Sequence, residues 1–269
     1  MANPDFDDLN RMIGEAGGNW VAGETSRSEF YDAPQREVGN LMGLALKPED
    51  ALPALSEARN SELASLAATV VPPPMDWRNP KGGTWVTSAK GRGSCGSCVA
   101  FATCATLESA VLIAKNRPGA GFDLSEAHLF YCGTPNSCDK GWFPQKALSF
   151  AQKTGVGLEK NFPYTPGNRP CRNIPPAVKV TGQGMAASTI ARKAALAKGP
   201  VIGCFAVYSD FLAYRSGVYR HVSGHLTGYH AVCMVGYDDR RGCWIAKNSW
   251  GTGWGTGGFF DIAYGECGI

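Results

Sequence analysis

The sequence lacks any apolar run long enough to cross a membrane, which takes about 18 or more consecutive apolar residues. Its first residues, Met1-Ala2-Asn3-Pro4-Asp5, are polar and acidic and precede no apolar stretch, so no signal peptide is predicted. The chain also lacks a large excess of either charge, since 26 basic and 23 acidic residues leave a net charge of only +3. Without a basic cluster or interleaved aromatic residues, the sequence predicts neither a nucleic-acid partner nor a membrane partner.

The sequence does contain enough apolar material for a large core. Hydrophobic residues make up 44% of the 269 residues, which suffices for one large domain or two small ones. Ten cysteines are many for a cytosolic protein and indicate an oxidising compartment, so we expect a secreted or periplasmic protein. A removed leader and an export route without a standard signal both reconcile this expectation with the missing signal peptide.

The charge is unevenly distributed along the chain. Residues 1–71 contain 12 acidic and 5 basic side chains, whereas residues 72–269 contain 11 acidic and 21 basic ones. The proline run at 72–74 breaks any helix and marks a linker between the two parts. An acidic segment beside a basic domain indicates an intramolecular inhibitor, and the alternative is a disordered tail.

A loop rich in glycine and serine runs into an alanine-rich helical segment at Cys98. The free N–H groups and the positive potential of a helix start stabilise a thiolate and can face an oxyanion. Cys98 is therefore the candidate nucleophile, although a Cys-x-x-Cys pair with Cys95 also fits a zinc site, a redox pair or half of a disulfide. Spacing favours the nucleophile, because His230 lies 132 residues and Asn248 150 residues after Cys98.

Three separated motifs resemble those of the papain-like cysteine proteases, in the order found in that family. They are Gly-Ser-Cys-Gly-Ser-Cys at 93–98, His-Ala-Val at 230–232 and Asn-Ser-Trp-Gly-Thr-Gly-Trp-Gly at 248–255. The resemblance implies an α+β, papain-like two-domain fold for the catalytic domain at 72–269. A helical left domain at about 85–175 and a β-barrel-like right domain at about 176–269 would enclose the active-site cleft. The absence of an Asn-x-Ser/Thr acceptor fits a bacterial member of the family.

By this resemblance the chain is a cysteine endopeptidase that needs no cofactor and no metal ion. Cys98 would attack the peptide carbonyl, His230 would hold the thiolate and protonate the leaving amine, and Asn248 would orient the imidazole ring. The family has a glutamine that donates to the oxyanion where this chain has Arg92. A guanidinium is longer and differently aimed, so the alternative is a catalytically weak homologue that binds peptides or another ligand.

Two further kinds of site are weaker alternatives. A metal site built on His221, His225 and His230 lacks other ligand residues close by in the sequence. A thioredoxin-like redox pair of Cys95 and Cys98 leaves no role for the third motif. We expect neither of them.

The resemblance also assigns the cysteines. It implies two disulfides in the helical half, Cys95–Cys138 and Cys132–Cys171, and it leaves Cys267 without the half-cystine that would pair with it. The remaining cysteines lie in apolar contexts and are expected to be buried free thiols: Cys104, Cys204, Cys233 and Cys243.

Substrate is expected to bind along both walls of the cleft. By resemblance, the substrate-binding residues are Gly96 and Gly141 near the scissile bond, Trp142, Phe143, Cys204, Gly228 and Ala231 in the main specificity pocket, and Trp250. That pocket should prefer an apolar side chain. Nothing between Cys132 and Cys171 resembles the occluding loop of cathepsin B, which favours an endopeptidase over a carboxydipeptidase.

The segment 1–71 resembles the short propeptide of cathepsin B-type enzymes through the stretches 19–23 and 38–43. In that family the propeptide runs through the cleft in the direction opposite to substrate. Trp20 would anchor the segment, and Leu41-Met42-Gly43 would lie near the catalytic thiol. Acid should weaken the attraction between segment and domain, so self-processing near residues 60–72 is expected at low pH. Peptide or protein substrates are the other expected partners of a monomeric enzyme.

Overall fold

The computed structural model describes residues 5–33, 42–44, 73–79, 83–134 and 138–269. The expected processing region at 60–72, the position of Leu41 and the first residue of the proline linker lie outside these described residues. No helix in the described ranges is both long and apolar enough to cross a membrane.

The α-helices begin where the sequence supplies a cap or a favourable first residue. They are α1 (Phe6–Glu15), α2 (Cys98–Ala114), α3 (Glu126–Gly133), α4 (Pro144–Lys153) and α5 (Thr189–Leu196). The side chains of Asp5, Ser125 and Ser188 accept backbone hydrogen bonds at the starts of α1, α3 and α5. Helix α4 begins at Pro144, where the missing N–H costs nothing. Helix α2 is buried on nearly every side and forms the centre of the helical half.

The strands lie mainly in the second half of the chain. They are β1 (Val21–Ala22), β2 (Met75–Asp76), β3 (Val201–Tyr208), β4 (Tyr214–Ser216), β5 (Val218–Tyr219), β6 (Leu226–Asp238), β7 (Cys243–Lys247) and β8 (Phe259–Ala263). Short 3₁₀ helices occur at Ser28–Phe30, Glu159–Asn161, Ser209–Ala213 and Glu266–Gly268. The split between helices and strands follows the α+β expectation.

The long strand β6 organises the main sheet. The strand order is β2-β6-β7-β8-β5, and β3 also pairs with β6. Strand β3 runs antiparallel along β6 from Val201 opposite Met234 to Tyr208 opposite Leu226, and β2 pairs with the last part of β6. Strands β5 and β8 are parallel, whereas the other pairs of this sheet are antiparallel.

Two large apolar clusters correspond to the two halves of the fold. One gathers α2, α3 and α4 around residues such as Leu129 and Trp142, and the other gathers the β half around Phe211 and Trp254. Helix α2 packs against β6, and Ala231 of β6 belongs to the helical cluster. Strand β6 therefore forms the boundary at which the two halves meet.

The N-terminal segment docks on the β half. Strand β1 pairs antiparallel with β4, and Gly23 N donates to Ala213 O at 2.9 Å. Trp20 is buried and packs on the rings of Tyr214 and Tyr219, at centroid distances of 6.2 and 5.2 Å. The sequence pattern predicts no strand in this segment, because two residues are too few to show alternation.

Candidate active site

Cys98 is the first residue of α2, and its thiol is fully buried. The loop before it is fixed by the Cys95–Cys138 disulfide and by Gly96 N, which donates to Cys138 O at 2.8 Å. The thiol accepts a hydrogen bond from Ala231 N at 3.4 Å. The helix start and strand β6 thus meet at the sulfur atom.

His230 immediately precedes Ala231 on β6 and lies in the same buried site. Its Nε2 is 2.8 Å from Asn248 Oδ1. Because an amide oxygen only accepts, Nε2 holds the proton and Nδ1 is the free acceptor. Nδ1 has no hydrogen-bond partner within the described part of the chain. The ring therefore has the tautomer required to take a proton from a neighbouring thiol.

Asn248 and Trp250 fix the imidazole ring. Asn248 follows β7, and its Oδ1 also accepts from Ser249 N at 2.7 Å. Trp250 stacks on His230 with ring centroids 5.1 Å apart and planes 20° apart. Both side chains are buried, so water is kept from the His230–Asn248 hydrogen bond.

The buried site holds its two titratable groups in their neutral forms. Burial raises the pKa of the Cys98 thiol, although the Arg92 guanidinium and backbone N–H groups act in the opposite direction. Burial and the charge of Arg92 lower the pKa of His230 to about 3. A neutral thiol beside a neutral imidazole is the expected state while the site is closed to water.

Arg92 is fully buried and links the loop before Cys98 to the loop after β7. Its backbone N donates to Ser249 O at 3.1 Å, and its Nε donates to Ser249 Oγ at 3.2 Å. Its Nη1 donates to the carbonyl oxygen of Cys95. Burial lowers the pKa of this guanidinium, while the neighbouring Cys98 raises it. The side chain is a fixed cation beside both candidate catalytic groups.

Gly43 of the N-terminal segment lies directly at the thiol. Its backbone N–H lies close enough to the Cys98 thiol to act against burial and favour a lower pKa of that thiol. A Cβ added to Gly43 would lie 2.2 Å from Gly96 O, and a Cβ added to Gly141 would lie 2.4 Å from Gly43 O. The peptide at Gly43 is therefore enclosed between two glycines, Gly96 and Gly141, that were predicted to line the cleft.

Gly43 and the residue after it are held by backbone hydrogen bonds. Trp142 N donates to Gly43 O at 2.8 Å, and Leu44 N donates to Tyr229 O at 3.2 Å. Leu44 thereby joins both walls of the cleft. The carbonyl of Tyr229 was not predicted as part of the site, because no sequence pattern marks a backbone acceptor.

The structure brings the predicted pocket residues together around this segment. Leu44 packs in the helical cluster, which also includes Trp142, Ala231, Phe143 and Cys204. Gly228 lies instead against Met42, whose Cβ would be 2.8 Å from a Cβ at position 228. Cys204 was expected to be buried but is partly exposed, because it borders the cleft. The other three cysteines of that group, Cys104, Cys233 and Cys243, are buried free thiols.

Arg27 is a member of the site that the sequence did not indicate. It is 9% exposed, and its Nη2 donates to Gly93 O at 3.4 Å. Burial and the nearby Arg92 lower its pKa to about 10. The segment that covers the cleft therefore brings a second cation close to Arg92. No sequence pattern distinguishes Arg27 from the other basic residues of the acidic segment, so its position near Arg92 was not predictable.

The alternative sites are not assembled in the described residues. Cys95 is bonded to Cys138, which excludes a Cys95–Cys98 redox pair in this state, and Cys132 is bonded to Cys171. His221 contacts Asp210 at 3.1 Å rather than His230. Over the described ranges, no group of three or more His, Cys, Asp or Glu residues is arranged to hold a metal ion.

Comparison with known proteins relates this geometry to one family. The model described as Papain family cysteine protease matches residues 71–269. Pro-cathepsin H of Mus musculus is 38% identical over 213 residues, which cover 74% of this chain and 62% of that relative. The match thus spans less than two thirds of the relative's length.

Solved structures extend the likeness to the N-terminal segment. proCathepsin B S9 from Trypanosoma congolense covers 100% of this chain and 95% of its own, with a TM-score of 0.78 and 23% identity, which shows the shared fold. Digestive procathepsin L2 proteinase from the larval midgut of Tenebrio molitor has a TM-score of 0.75 and 29% identity, and covers 98% of this chain and 86% of its own.

Proposed function

The chain belongs to the papain family of cysteine proteases, and we propose that it is the zymogen of a cysteine endopeptidase. The observation that carries this proposal is the position of Gly43, whose peptide is enclosed by Gly96 and Gly141 and whose N–H lies beside the Cys98 thiol. A segment of the chain itself thus occupies the place where a substrate peptide has to lie.

In the proposed mechanism Cys98 is the nucleophile and His230 is the acid and base. His230 takes the thiol proton at Nδ1, and the thiolate attacks the peptide carbonyl to give an acyl-enzyme. The imidazolium then protonates the leaving amine, and a water molecule hydrolyses the acyl-enzyme. Asn248 holds the ring through Nε2, as the 2.8 Å contact supports.

The tetrahedral oxyanion needs donors that are already in place before attack. We assign one donor to the backbone N–H of Cys98 at the start of α2, where the helix offers unpaired N–H groups. Arg92 is the proposed second donor, in the position where the family has glutamine. Its Nη1 donates to Cys95 O and its Nε donates to Ser249 Oγ, which holds the guanidinium beside the loop that leads to Cys98.

The N-terminal segment is the proposed inhibitor. Ser26 Oγ donates to Trp250 O at 3.3 Å, and Gly43 and Leu44 bond to Trp142 and Tyr229. These contacts support a propeptide that occupies the cleft, and its resemblance to the propeptide of cathepsin B-type enzymes is the ground for proposing that it lies against the direction of substrate. Self-processing near residues 60–72 at low pH would release it.

The side chains of the segment indicate what the subsites accept. Leu44 fills the apolar pocket built with Trp142 and Ala231, and Met42 lies against Gly228. We therefore assign the enzyme to peptide and protein substrates with an apolar residue at the main specificity position. The sequence between Cys132 and Cys171 does not resemble the occluding loop of cathepsin B, which supports internal cleavage.

Arg92 also favours a second candidate function. In this second candidate, the bonds of the guanidinium to Cys95 O and Ser249 Oγ aim it away from the oxyanion, and the loss of that donor makes turnover inefficient. The chain would then bind peptides in the same cleft without cleaving them efficiently. Turnover after removal of the segment separates the two candidates.

The two disulfides support an oxidising compartment, secreted or periplasmic, for the proposed monomeric enzyme. A bacterial source stays a prediction from the sequence.

An irreversible thiol-directed protease inhibitor tests the proposed nucleophile. The full chain is incubated with it before and after treatment at about pH 4.5, where carboxylates begin to lose their charge, and the labelled residue is identified by mass spectrometry. Labelling of Cys98 alone, after acid treatment and not before, is expected. Labelling of Cys98→Ala to the same extent, or of Cys95 as well, would reject the proposal.

A further inference from the structure

Tyr164 lies beside the nucleophile helix in the loop that follows the 3₁₀ helix Glu159–Asn161. Its ring meets Phe101 edge-on at 4.8 Å and stacks on Tyr131 at 6.0 Å between centroids. Phe101 is three residues after Cys98 on α2, so these two residues share one face of the helix. The ring of Tyr164 is therefore fixed one turn from the nucleophile.

The hydroxyl of Tyr164 joins both ends of the loop that leads to Cys98. It donates to the backbone carbonyl of Arg92 at 3.1 Å and lies 2.7 Å from Ser97 Oγ. Because a hydroxyl has one proton, and the carbonyl takes it, Ser97 supplies the proton of the second hydrogen bond. Arg92 and Ser97 are both fully buried, and Ser97 immediately precedes Cys98.

This arrangement fixes the two groups that act at the reacting carbonyl. At one end of the loop, Arg92 is held through its backbone oxygen while its Nε bonds to Ser249. At the other end, Ser97 is held at the residue before the nucleophile and the first N–H groups of α2. One hydroxyl thereby joins the backbone of Arg92 to Ser97, the residue before the nucleophile.

Given the proposed peptidase function, we propose that Tyr164 is a positioning residue that aligns Arg92 and Cys98 for attack on the peptide carbonyl. A side chain that only fills space would contribute through its ring. A positioning residue contributes through the hydroxyl as well. The two roles separate when the hydroxyl is removed and the ring is kept.

The test compares Tyr164→Phe with the unaltered enzyme after activation of the full chain at low pH. A misaligned loop is expected to lower kcat about tenfold with KM changed by less than about twofold. Alkylation of Cys98 by iodoacetamide is expected to need a higher pH, because Arg92 is then held less firmly beside the thiolate. The melting temperature and the amount of titratable Cys98 show how much folded enzyme is present.

Two further variants make the outcome specific. Tyr264→Phe removes a hydroxyl that donates to Asp239 Oδ1 at 2.8 Å in the β half, and should leave kcat and the alkylation profile unchanged. Ser97→Ala removes the same hydrogen bond from its other side. It should lower kcat in the same direction and combine less than additively with Tyr164→Phe.

The proposal is overturned if Tyr164→Phe keeps kcat within about twofold and leaves the alkylation profile unchanged, or if kcat falls only in proportion to titratable Cys98. If Tyr164→Phe does not fold, an unchanged Ser97→Ala enzyme overturns it equally. Absence of hydrolysis by the unaltered enzyme would instead reject the proposed function. The pH dependence of alkylation would still report on the role of Tyr164.

Discussion

Arg92 places a buried guanidinium beside both titratable groups of the candidate site. Its charge acts against the burial that raises the pKa of the Cys98 thiol, and it adds to the burial that lowers the pKa of His230. A papain-type pair is active when the thiol has lost its proton and the imidazole has gained one. The Arg92 cation therefore shifts both the acid limb and the alkaline limb of the pH–activity profile toward lower pH.

Replacing Arg92 with glutamine is expected to move both limbs of the kcat/KM profile of the activated enzyme to higher pH. Removing the cation raises the pKa of the thiol, which delays the acid limb, and raises the pKa of the imidazole, which delays the alkaline limb. Hydrolysis of a fluorogenic peptide between about pH 4 and pH 9 measures both limbs. Arg92→Lys keeps the charge and serves as the control, with limbs close to those of the unaltered enzyme. Limbs that stay in place, or that move in opposite directions, would contradict this account.

The sequence predicted the candidate catalytic residues but not the side chains and loops that hold them. Cys98, His230 and Asn248 were recognisable because their motifs are local and their order is characteristic. The contacts of Arg92 with Ser249, and the site of Arg27, depend on loops that are distant in the sequence and were therefore not predictable. The hydroxyl of Tyr164 was missed for the same reason.

The short strand β1 docks the N-terminal segment on the β half, where Trp20 belongs to the apolar cluster of that half. Trp20 is 2% exposed, whereas its neighbour Val21 is 48% exposed. Two adjacent residues of the same segment thus differ sharply in burial. This contrast provides a matched pair of substitutions.

Trp20→Ala is expected to weaken docking about a hundredfold or more, because truncating a buried tryptophan costs about 3–5 kcal/mol. The variant full chain should therefore hydrolyse peptides at neutral pH without acid treatment. Val21→Ala should remain inactive until acidified. Equal neutral-pH activity of the two variants would show that docking does not depend on Trp20.

Gly43 gives a second prediction for the segment. Because a Cβ at this position would lie 2.2 Å from Gly96 O, Gly43→Ala should displace the segment from the thiol. Overpacking of this kind costs about 1–3 kcal/mol, so alkylation of Cys98 at neutral pH should become about tenfold faster. Gly14→Ala in α1 is the control, since nothing lies within 4 Å of the added Cβ there. An unchanged alkylation rate in Gly43→Ala would contradict the placement of the segment over the thiol.

Elements with strong local signals were predictable, and elements set by a partner were not. The start of α3 has a local signal, because a serine at position 125 precedes the helix and its side chain accepts a hydrogen bond from His128 N at 2.9 Å. Strand β1 has two residues, and only its pairing with β4 makes it a strand. Strand β1 therefore forms because β4 of the β half offers an edge with which it can pair.

At the scale of the whole molecule, the N-terminal segment is acidic and the rest of the chain is basic, but within the described residues no ion pair joins the two. There, the ion pairs of the segment are internal, joining Arg11 to Asp8 and Glu15. Docking instead relies on apolar burial, strand pairing and backbone hydrogen bonds. Arg27 even brings like charge close to Arg92. The fold class was predictable from motif order, whereas this mode of docking was not.

Hydrolysis of fluorogenic dipeptides that end in an apolar residue followed by arginine tests the central claim most directly. The full chain is assayed under mildly reducing conditions before and after incubation at about pH 4.5, where carboxylates begin to lose their charge, with Cys98→Ala as the control. The account predicts no hydrolysis before incubation, hydrolysis together with loss of the N-terminal segment afterwards, and none at any stage in Cys98→Ala. Full activity of the untreated chain, or no activity after the segment has been removed, would contradict it.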